Sequence, residues 1–412
     1  MPSTNETKGI FTMKKIVLSA LAAMSLGSVA ANAIDLYEDT NGQVFTSAAE
    51  GRTLVKDKSV SVFSKADKLK FSGLTYIGYS YNDYKDGETS VAGTNYRNDA
   101  SQFEIRRSYF QLKAYLLDDP KSYYRITFDV HQDTKDVGSG TDGDMIVRVK
   151  YAYLYLDAVL PFTGLEVGIA HRPWHDYEEH NAWFYRNISK VLVEQKNGGN
   201  LSNSADFGFN FKTRTQYFDS EFGIFNGEGY HAVQNTPRGI SFEWRTTAHL
   251  LGVAGKDKQT SRTYLDASFF GQYNTGHKDA TVGAVTESQD LVFAGLHTVY
   301  NQPEFLLSAQ YVYSDNTSDI LNNISEQAGS GYSANGEYRF GKEKEYRVLA
   351  RYDAWTPEAA DKENRTYIGG LAWEQNSNVQ WVANVEMTDN EDGSSRENFN
   401  GMAYMLTAEV RF

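Results

Sequence analysis

The chain has 412 residues, no cysteine and a formal net charge of −13 at pH 7. Without cysteine it forms neither disulfides nor a thiolate site, and its acidic balance argues against a nucleic-acid-binding protein, which needs a basic surface. The mean hydropathy is −0.53 and no stretch of 18 apolar residues occurs, so we predict no membrane-spanning helix.

The N-terminus has the pattern of a secretory signal. Met13–Lys15 give a basic start, Ile16–Val29 are apolar with small residues, and Ala31–Ala33 supply the small residues of a cleavage site. Because the apolar run is too short to span a bilayer, we expect residues 1–33 to be removed on export. Residues 1–12 are then untranslated if Met13 is the true start. The alternative is a buried N-terminal core helix.

Residues 34–68 show no strong periodicity, and we expect a periplasmic or lumen-associated segment there. From Leu69 to Phe412, roughly sixteen segments of about ten residues alternate apolar and polar side chains, a length that suits tilted strands crossing the hydrocarbon layer. Three segments show the pattern, with apolar residues on one face and charged residues on the other face of the same strand. They are Phe207, Phe209 and Phe211 with Lys212 and Arg214; Val147, Val149, Tyr151, Tyr153 and Tyr155 with Arg148 and Lys150; and Tyr346, Val348, Ala350 and Tyr352 with Arg347 and Arg351.

The charged rows decide which face meets lipid. A Lys or Arg on the lipid side costs about 2–4 kcal/mol at the bilayer midplane, so we expect these rows to line a wet lumen. A change of phase within Phe103–Leu116 predicts a β-bulge near Arg106 and Arg107. The same alternation occurs in a soluble β-sandwich with polar residues outward, which stays the alternative on periodicity alone.

The last strand and the connections favour the membrane barrel over the soluble β-sandwich. Met402–Phe412 alternates without a break and ends in an aromatic residue, and Tyr404 and Phe412 resemble the signal read by the outer-membrane assembly machinery. Long polar connections alternate with short turns, as in bacterial outer-membrane barrels. The long ones are Asn82–Ala100, Gln132–Asp144, His171–Asn200, Asn226–Pro237, Gly276–Asp290, Ser314–Ser330, Thr356–Asn364 and Asp389–Gly401. We therefore predict an all-β fold: a transmembrane, antiparallel, up-and-down β-barrel of about 16 strands.

Several stretches resemble the phosphate-selective porin O/P family. They are Phe103–Lys113, Val149–Tyr155, Leu165–Pro173, Phe222–Gly229, Gly331–Tyr338 and the closing strand. The resemblance implies a homotrimer in the bacterial outer membrane, in contact with lipopolysaccharide, through which small ions such as phosphate diffuse with an anion bias. The acidic composition departs from that family's basic lumen, so phosphate selectivity is not carried over.

The candidate functional residues fall into two sets. The basic residues expected to line the pore are Arg106, Arg107, Arg125, Arg148, Lys150, Lys212, Arg214, Arg245, Arg339, Arg347 and Arg351. The connection 171–200 is the expected constriction, because loops of this length in a compact domain are usually functional; the alternative is an extracellular lid. Its charged candidates are His171, Arg172, His175, Asp176, Glu178, Glu179, His180 and Arg186.

We expect the carboxylates of this connection to face the basic rows across the pore and to set up a transverse field. Its histidines and carboxylates lack the HExxH spacing of a zinc helix, so we predict no metal site, no catalytic residue and no cofactor. The sequence favours a general porin and leaves its ion preference open. The alternatives are a substrate-specific or cation-selective channel, a barrel enzyme using Ser189 and His180, and an adhesin.

Overall fold

The structure, a computed structural model, describes part of the chain. The described residues are 37–39, 44–45, 49–54, 68–84, 89–91, 94–96, 100–115, 119, 121–132, 145–231, 239–253, 259–282, 285–315, 327–358, 361–394 and 396–412. The predicted signal, residues 1–33, lies outside them. Within the segment 34–68, the strands β1 (Tyr37–Asp39), β2 (Val44–Phe45) and β3 (Arg52–Leu54) form a small antiparallel sheet in the order β2-β1-β3.

Residues 68–411 form a separate compact unit, in which sixteen strands close into one antiparallel barrel. The barrel strands are β4 (Leu69–Tyr84), β7 (Ala100–Ala114), β8 (Tyr123–Gln132), β9 (Met145–Leu160), β10 (Thr163–His171), β11 (Ala205–Arg214), β12 (Phe218–Phe225), β13 (Ser241–His249), β14 (Tyr264–Val282), β15 (Val285–Asn301), β16 (Phe305–Asp315), β17 (Gly329–Phe340), β18 (Tyr346–Pro357), β19 (Asn364–Glu374), β20 (Val379–Thr388) and β21 (Gly401–Arg411). The predicted fold class and strand number are confirmed.

The barrel closes where β21 pairs with β4, from Gly401 opposite Tyr84 to Arg411 opposite Leu74. The final strand therefore removes the last free edge of the sheet, as a barrel in lipid requires. Tyr404 and Phe412, the predicted assembly signal, are 41% and 63% exposed.

Burial along the strands is inverted relative to a soluble protein. On β11, Phe207, Phe209 and Phe211 are 38–49% exposed, whereas Asn210 and Lys212 are at most 5% exposed. Soluble proteins rarely expose contiguous apolar surface of this extent, and an outward apolar band around a polar interior is the arrangement of an outer-membrane barrel. The predicted charged rows point inward because only the interior offers them water and partners. No helix among the described residues is long and apolar enough to cross a bilayer.

Two β-bulges set which side chains point inward. The register between β4 and β7 runs from Tyr76 opposite Arg107 to Ile77 opposite Ile105, so Arg106 is the extra residue and the predicted bulge is confirmed. A second bulge between β8 and β9 pairs Thr127 with Tyr151 and Phe128 with Val149.

The second bulge contradicts one predicted face. We expected Tyr151, Tyr153 and Tyr155 opposite Arg148 and Lys150, but Lys150 is the extra residue and reverses the phase of β9. Tyr151 and Tyr153 are 6% and 1% exposed, and they share the inner face with the charged residues. These tyrosines line the lumen and do not face lipid.

The connections also differ from expectation at one place. The segment Gly276–Asp290 was predicted to be a long loop, but β14 and β15 continue through it and pair as far as Val282 with Val285. A strand outside the hydrocarbon layer needs backbone pairing and no apolar face, so its polar composition is compatible with a hairpin. The connection 85–99 contains another short hairpin, β5 (Thr89–Val91) with β6 (Thr94–Tyr96).

Candidate functional site

The connection 172–204 between β10 and β11, here called the inner loop, lies across the barrel interior. It contains the helix α1 (His175–Asn181), and its polar side chains bond to strands spread around the wall. Four bonds reach β14, β16, β19 and β21 respectively: Tyr177 Oη donates to Asp266 Oδ2 (2.7 Å), Gln310 Nε2 donates to Glu178 Oε1 (2.5 Å), Asn197 Nδ2 donates to Thr366 Oγ1 (2.9 Å) and Asn187 Nδ2 donates to Thr407 Oγ1 (2.8 Å).

An apolar cluster fills one side of the lumen between the inner loop and the wall. Trp174 stacks on Phe270 with ring centroids 3.6 Å apart and planes 3° apart. The loop contributes Trp174, Tyr177, Trp183, Tyr185, Ile188, Val191, Leu192, Val193 and Leu201, and strands β14 to β21 contribute Phe270, Leu291, Phe293, Val312, Leu349, Trp355, Ile368, Ala372, Val382 and Met405. We call this side the dry side. Burying one such large side chain contributes about 1.5–3 kcal/mol, so the cluster holds the loop inside the barrel.

Buried ion pairs tie the start of the inner loop to the wall and brace the loop internally. At its start, the Arg172 guanidinium donates through Nε to Glu243 (2.8 and 2.9 Å) and through Nη2 to Gln272 (3.1 Å). Further along, Arg186 pairs with Glu179 (2.7 Å) and Glu194 (2.9 Å). Removing one partner would leave a buried charge unpaired, at a cost of about 3–5 kcal/mol.

The helix α1 carries most of the predicted titratable loop residues. Burial raises the pKa of Glu178 from 4.5 to about 8, with Asp353 adding to the effect and Arg351 opposing it. Burial lowers the pKa of His175 to about 3. Burial alone would raise the pKa of Asp176, but the nearby His171 and His180 outweigh it and hold this pKa well below its usual range.

The other side of the lumen holds an open cavity of about 400 Å³ between the inner loop and strands β4, β7 and β20. Its charged lining comprises six cations, Arg106, Arg107, Arg186, Lys190, Lys196 and Arg396, and two carboxylates, Glu104 and Glu386. We call it the cationic cavity. Within the lining, Arg106 pairs with Glu104 (2.8 Å). Further carboxylates lie behind the lining: Asp129 pairs with Arg107 (3.0 Å) and is fully buried, and Glu194 pairs with Lys190 (3.0 Å).

A second cavity of about 240 Å³ lies on the side of the long connections. Asn200, Ser202, Asn203 and Gln327 line it with amides and a hydroxyl, together with Arg172, Lys190, Glu194, Glu228, His231 and His277. Burial and the neighbouring Arg148 lower the pKa of His231 to about 2, so this ring is neutral and Arg148 can donate to its Nδ1 (2.8 Å).

The structure separates the predicted basic residues into three groups. Arg106 and Arg107 line the cationic cavity, and Arg148 lies beside it, since Arg148 shares Asp129 with Arg107 (2.9 and 3.0 Å). Arg125 and Lys150 lie among the tyrosines of β9: the Arg125 guanidinium is 4.6 Å from the Tyr151 ring centroid.

The remaining predicted basic residues do not meet at this cavity. Arg214 is exposed near the short turn after β11. The other five are buried against carboxylates of the wall: Lys212 with Glu166 and Glu221, Arg245 with Asp219 and Glu221, Arg339 with Glu337, Arg347 with Glu374, and Arg351 with Asp353. Their charges are balanced locally under the inner loop.

The expected opposition of loop carboxylates and basic wall residues is seen in part, at Asp176, which acts on Arg125 and Lys212. We predicted loop carboxylates facing basic rows, but Glu178 is buried on the dry side, and Glu179 and Glu194 pair with Arg186. The inner loop instead contributes Arg186, Lys190 and Lys196 to the cationic cavity. They line the same space as the basic residues of β7.

The sequence analysis missed Lys190, Lys196 and Arg396, because a single long connection gives no register to say which charges face a neighbour. The sequence did contain a signal that the loop itself is buried. Trp174, Trp183 and Val191–Val193 are unusually apolar for a surface connection, and such residues need a buried site.

The alternative of a barrel enzyme names two side chains that the structure describes, Ser189 and His180. The Ser189 hydroxyl donates to the Lys190 carbonyl (3.3 Å), and His180 is exposed and paired with Asp176 (3.5 Å). In the described part of the chain, no group of three or more His, Cys, Asp or Glu side chains is placed to hold a metal ion.

Comparisons with solved structures identify the fold. The chain is similar to OmpT, an outer membrane protein of Vibrio cholerae, in a loop-deletion form (TM-score 0.54, 13% identity, 84% of this chain and 99% of that chain) and in a trimer form (0.51, 12%, 84% and 99%). It is also similar to a mutant of the Rhodobacter blastica porin (0.50, 11%, 84% and 100%). At this identity the likeness shows the fold alone, an outer-membrane β-barrel.

No known sequence family matches the chain, and no curated protein is similar to it in sequence. The structural likeness therefore supports the coarse resemblance to outer-membrane β-barrels. The finer resemblance to the phosphate-selective porin O/P family has no further support.

Proposed function

We propose that this protein is an outer-membrane porin through which small hydrophilic anions diffuse passively, and that it is not an enzyme. The observation that carries the proposal is the cationic cavity, in which six cations and two carboxylates line an open space in a chain of net charge −13. A general acidic pore would not be expected to concentrate six cations around one cavity beside the inner loop.

The proposal assigns a role to each part of the chain. Residues 1–33 are the export signal, residues 69–412 are the barrel, and the connection 171–200 is its constriction. The likeness to a trimer form of OmpT favours a homotrimer, surrounded by lipopolysaccharide and outer-membrane lipid. The exposed apolar row of β21 ending in Phe412 fits recognition by the outer-membrane assembly machinery.

The filter works through fixed charges near the permeating ion. A cation about 5 Å from an anion contributes roughly 0.8 kcal/mol in a watery pore, which is about a fourfold change in local anion occupancy. Several cations around one passage therefore favour anions over cations clearly, even with salt screening. The selected solute class is small anions, phosphate among them, without a site specific to phosphate.

The reversal potential in a salt gradient tests this function. We expect the purified protein in planar bilayers to prefer chloride over potassium, and the triple variant Arg106→Gln, Lys190→Gln, Lys196→Gln to lose most of this preference. The control is Lys342→Gln, an exposed cation in the short turn after β17, which should leave the reversal potential unchanged. Cation preference in the wild-type channel, or an unchanged preference in the triple variant, contradicts the proposal.

A further inference from the structure

A strip of tyrosine rings lines the lumen near its short-turn end, away from the cationic cavity. The ring centroids of Tyr115 and Tyr123 are 5.4 Å apart, and those of Tyr123 and Tyr155 are 5.1 Å apart with planes at 30°. We call these three rings the tyrosine strip. Each of the three side chains is half-buried, so each keeps some surface open to the lumen.

The strip exists because of two features of the local backbone. The bulge at Lys150 turns the tyrosines of β9 inward. Gly164 on β10 then leaves room for the Tyr155 ring, since a Cβ at this position would lie 2.4 Å from the Tyr155 hydroxyl and 2.6 Å from the ring itself. With any other residue at this position, the Tyr155 ring would have to move.

Three cations stand beside the strip in one cross-strand row. Lys70 of β4 lies opposite Lys113 of β7, and Lys113 lies opposite Arg125 of β8. The Lys70 ammonium is 5.2 Å from the Tyr115 ring centroid, and the Lys113 ammonium is 4.5 Å from that of Tyr123. Lys113 is six residues along β7 from Arg107, or about 20 Å, so this row is separate from the cationic cavity.

Apart from these contacts with the rings, the three charges of the row repel one another. Like charges directly opposite each other on neighbouring strands destabilise a sheet. Arg125 is hydrogen-bonded to Thr127 (3.1 Å), Tyr153 (3.2 Å) and His171 (3.1 Å), none of which is a carboxylate. Among the described residues, no carboxylate forms a direct ion pair with any of these three cations; Glu166 and Asp176 act on Lys113, and Asp176 on Arg125, only from beyond ion-pair distance. An anionic solute is the natural counter-charge.

We infer that the tyrosine strip and this row form a binding subsite for carboxylates that carry a flat ring. The inference rests on the proposed function and names the preferred substrate class of the same channel. The carboxylate takes the place of the missing counter-ion between Lys70, Lys113 and Arg125, and the ring lies on Tyr123 or Tyr155. Aromatic rings attract one another in offset or edge geometry beyond simple burial, which a small inorganic anion cannot use.

Blocking of the chloride current by added carboxylates tests this subsite. The probes are benzoate, cyclohexanecarboxylate, with the same charge and carbon number but a puckered ring, and acetate, with no ring. All are added on the short-turn side of wild-type channels at pH 7.5. We expect half-maximal block by benzoate at a concentration at least about tenfold below that of acetate, with cyclohexanecarboxylate clearly weaker than benzoate.

The variants separate ring recognition from charge. The double variant Tyr123→Leu, Tyr155→Leu should bring benzoate block to the level of acetate, whereas Tyr123→Phe, Tyr155→Phe should keep the preference. Lys70→Gln, Lys113→Gln should weaken block by all three acids. The matched control is Tyr217→Leu, an exposed tyrosine in the turn after β11, which should change nothing.

Equal block by benzoate and acetate in wild-type channels overturns the inference, as does unaltered benzoate preference in the double leucine variant. Equal block by benzoate and cyclohexanecarboxylate overturns the requirement for a flat ring. These outcomes are distinct from failure of the proposed function, because the reversal potential measures anion preference without any organic acid. A channel that prefers anions but is blocked equally by acids with and without a flat ring would contradict the subsite and leave the proposed function standing.

Discussion

Glu178 makes docking of the inner loop depend on pH. It is 1% exposed and accepts a hydrogen bond from Gln310, and no described residue forms an ion pair with it. Burial raises its pKa to about 8, so the carboxyl is neutral in the docked loop at neutral pH. In an undocked loop the same carboxyl would meet water and ionise near 4.5.

The magnitude follows from linkage between protonation and conformation. Each pH unit above 4.5 favours the undocked, ionised carboxyl by about 1.4 kcal/mol until the docked group itself ionises. Through this carboxyl, the docked state at pH 7 has therefore lost roughly 3 kcal/mol relative to pH 4.5, and the loss continues to about pH 8. His175 acts in the opposite direction: burial lowers its pKa from 6.5 to about 3, so docking also weakens as the pH falls below 6.5. Docking is therefore strongest between about pH 4.5 and 6.5 and weakens towards both extremes.

The substitution Glu178→Gln removes this dependence, because the amide is neutral at every pH and has nearly the same shape. We expect wild-type channels in planar bilayers to show more frequent current fluctuations as the pH rises from 6.5 to 8, where His175 no longer changes the balance, and Glu178→Gln channels to stay equally quiet over this range. Asp392→Asn, in an exposed connection, is the control and should behave as wild type. Identical pH profiles for wild type and Glu178→Gln would refute the reasoning.

Three further predictions concern stability and assembly. Trp174→Ala should cost about 3–5 kcal/mol of loop packing and raise single-channel conductance; unchanged conductance would mean that the stacked ring does not hold the loop. Lys212→Met leaves the carboxylates of Glu166 and Glu221 without their shared cation, and should lower the melting temperature in detergent by the equivalent of about 3–5 kcal/mol; an equal melting temperature would argue against pairing. Phe412→Ala should reduce the fraction of folded, heat-modifiable barrel in outer membranes, and normal assembly would remove this residue as a signal.

Much of the barrel could be predicted because lipid imposes a simple rule on each strand. Residues such as Tyr346, Val348 and Arg347 alternate in a single sequence, and the midplane cost of charge then fixes which face is outside. The prediction that failed, the outward face of the β9 tyrosines, was wrong because of a bulge that depends on the neighbouring strand. Nothing within β9 marks Lys150 as an extra residue; the bulge becomes visible only when Thr127 is found opposite Tyr151.

The site was less predictable than the fold for a related reason. The charges of the cationic cavity come from β7, from the inner loop and from the connection before β21, and no local pattern brings these segments together. Arg106 and Arg107 were identified because they lie on a strand with a periodic pattern. Lys190 and Arg396 lie in irregular segments, where the spacing of residues carries no information on direction.

The dry side also limits how this channel can be re-engineered. Strands β14 to β21 carry inward-pointing apolar side chains such as Phe270, Leu291 and Trp355, which the inner loop covers. Shortening the loop would wet these side chains without giving the wall any polar replacement. A wider pore would therefore require substitutions on the inner surface of half the barrel together with a shorter loop. Truncation of the loop alone is expected to give a less stable and leaky channel.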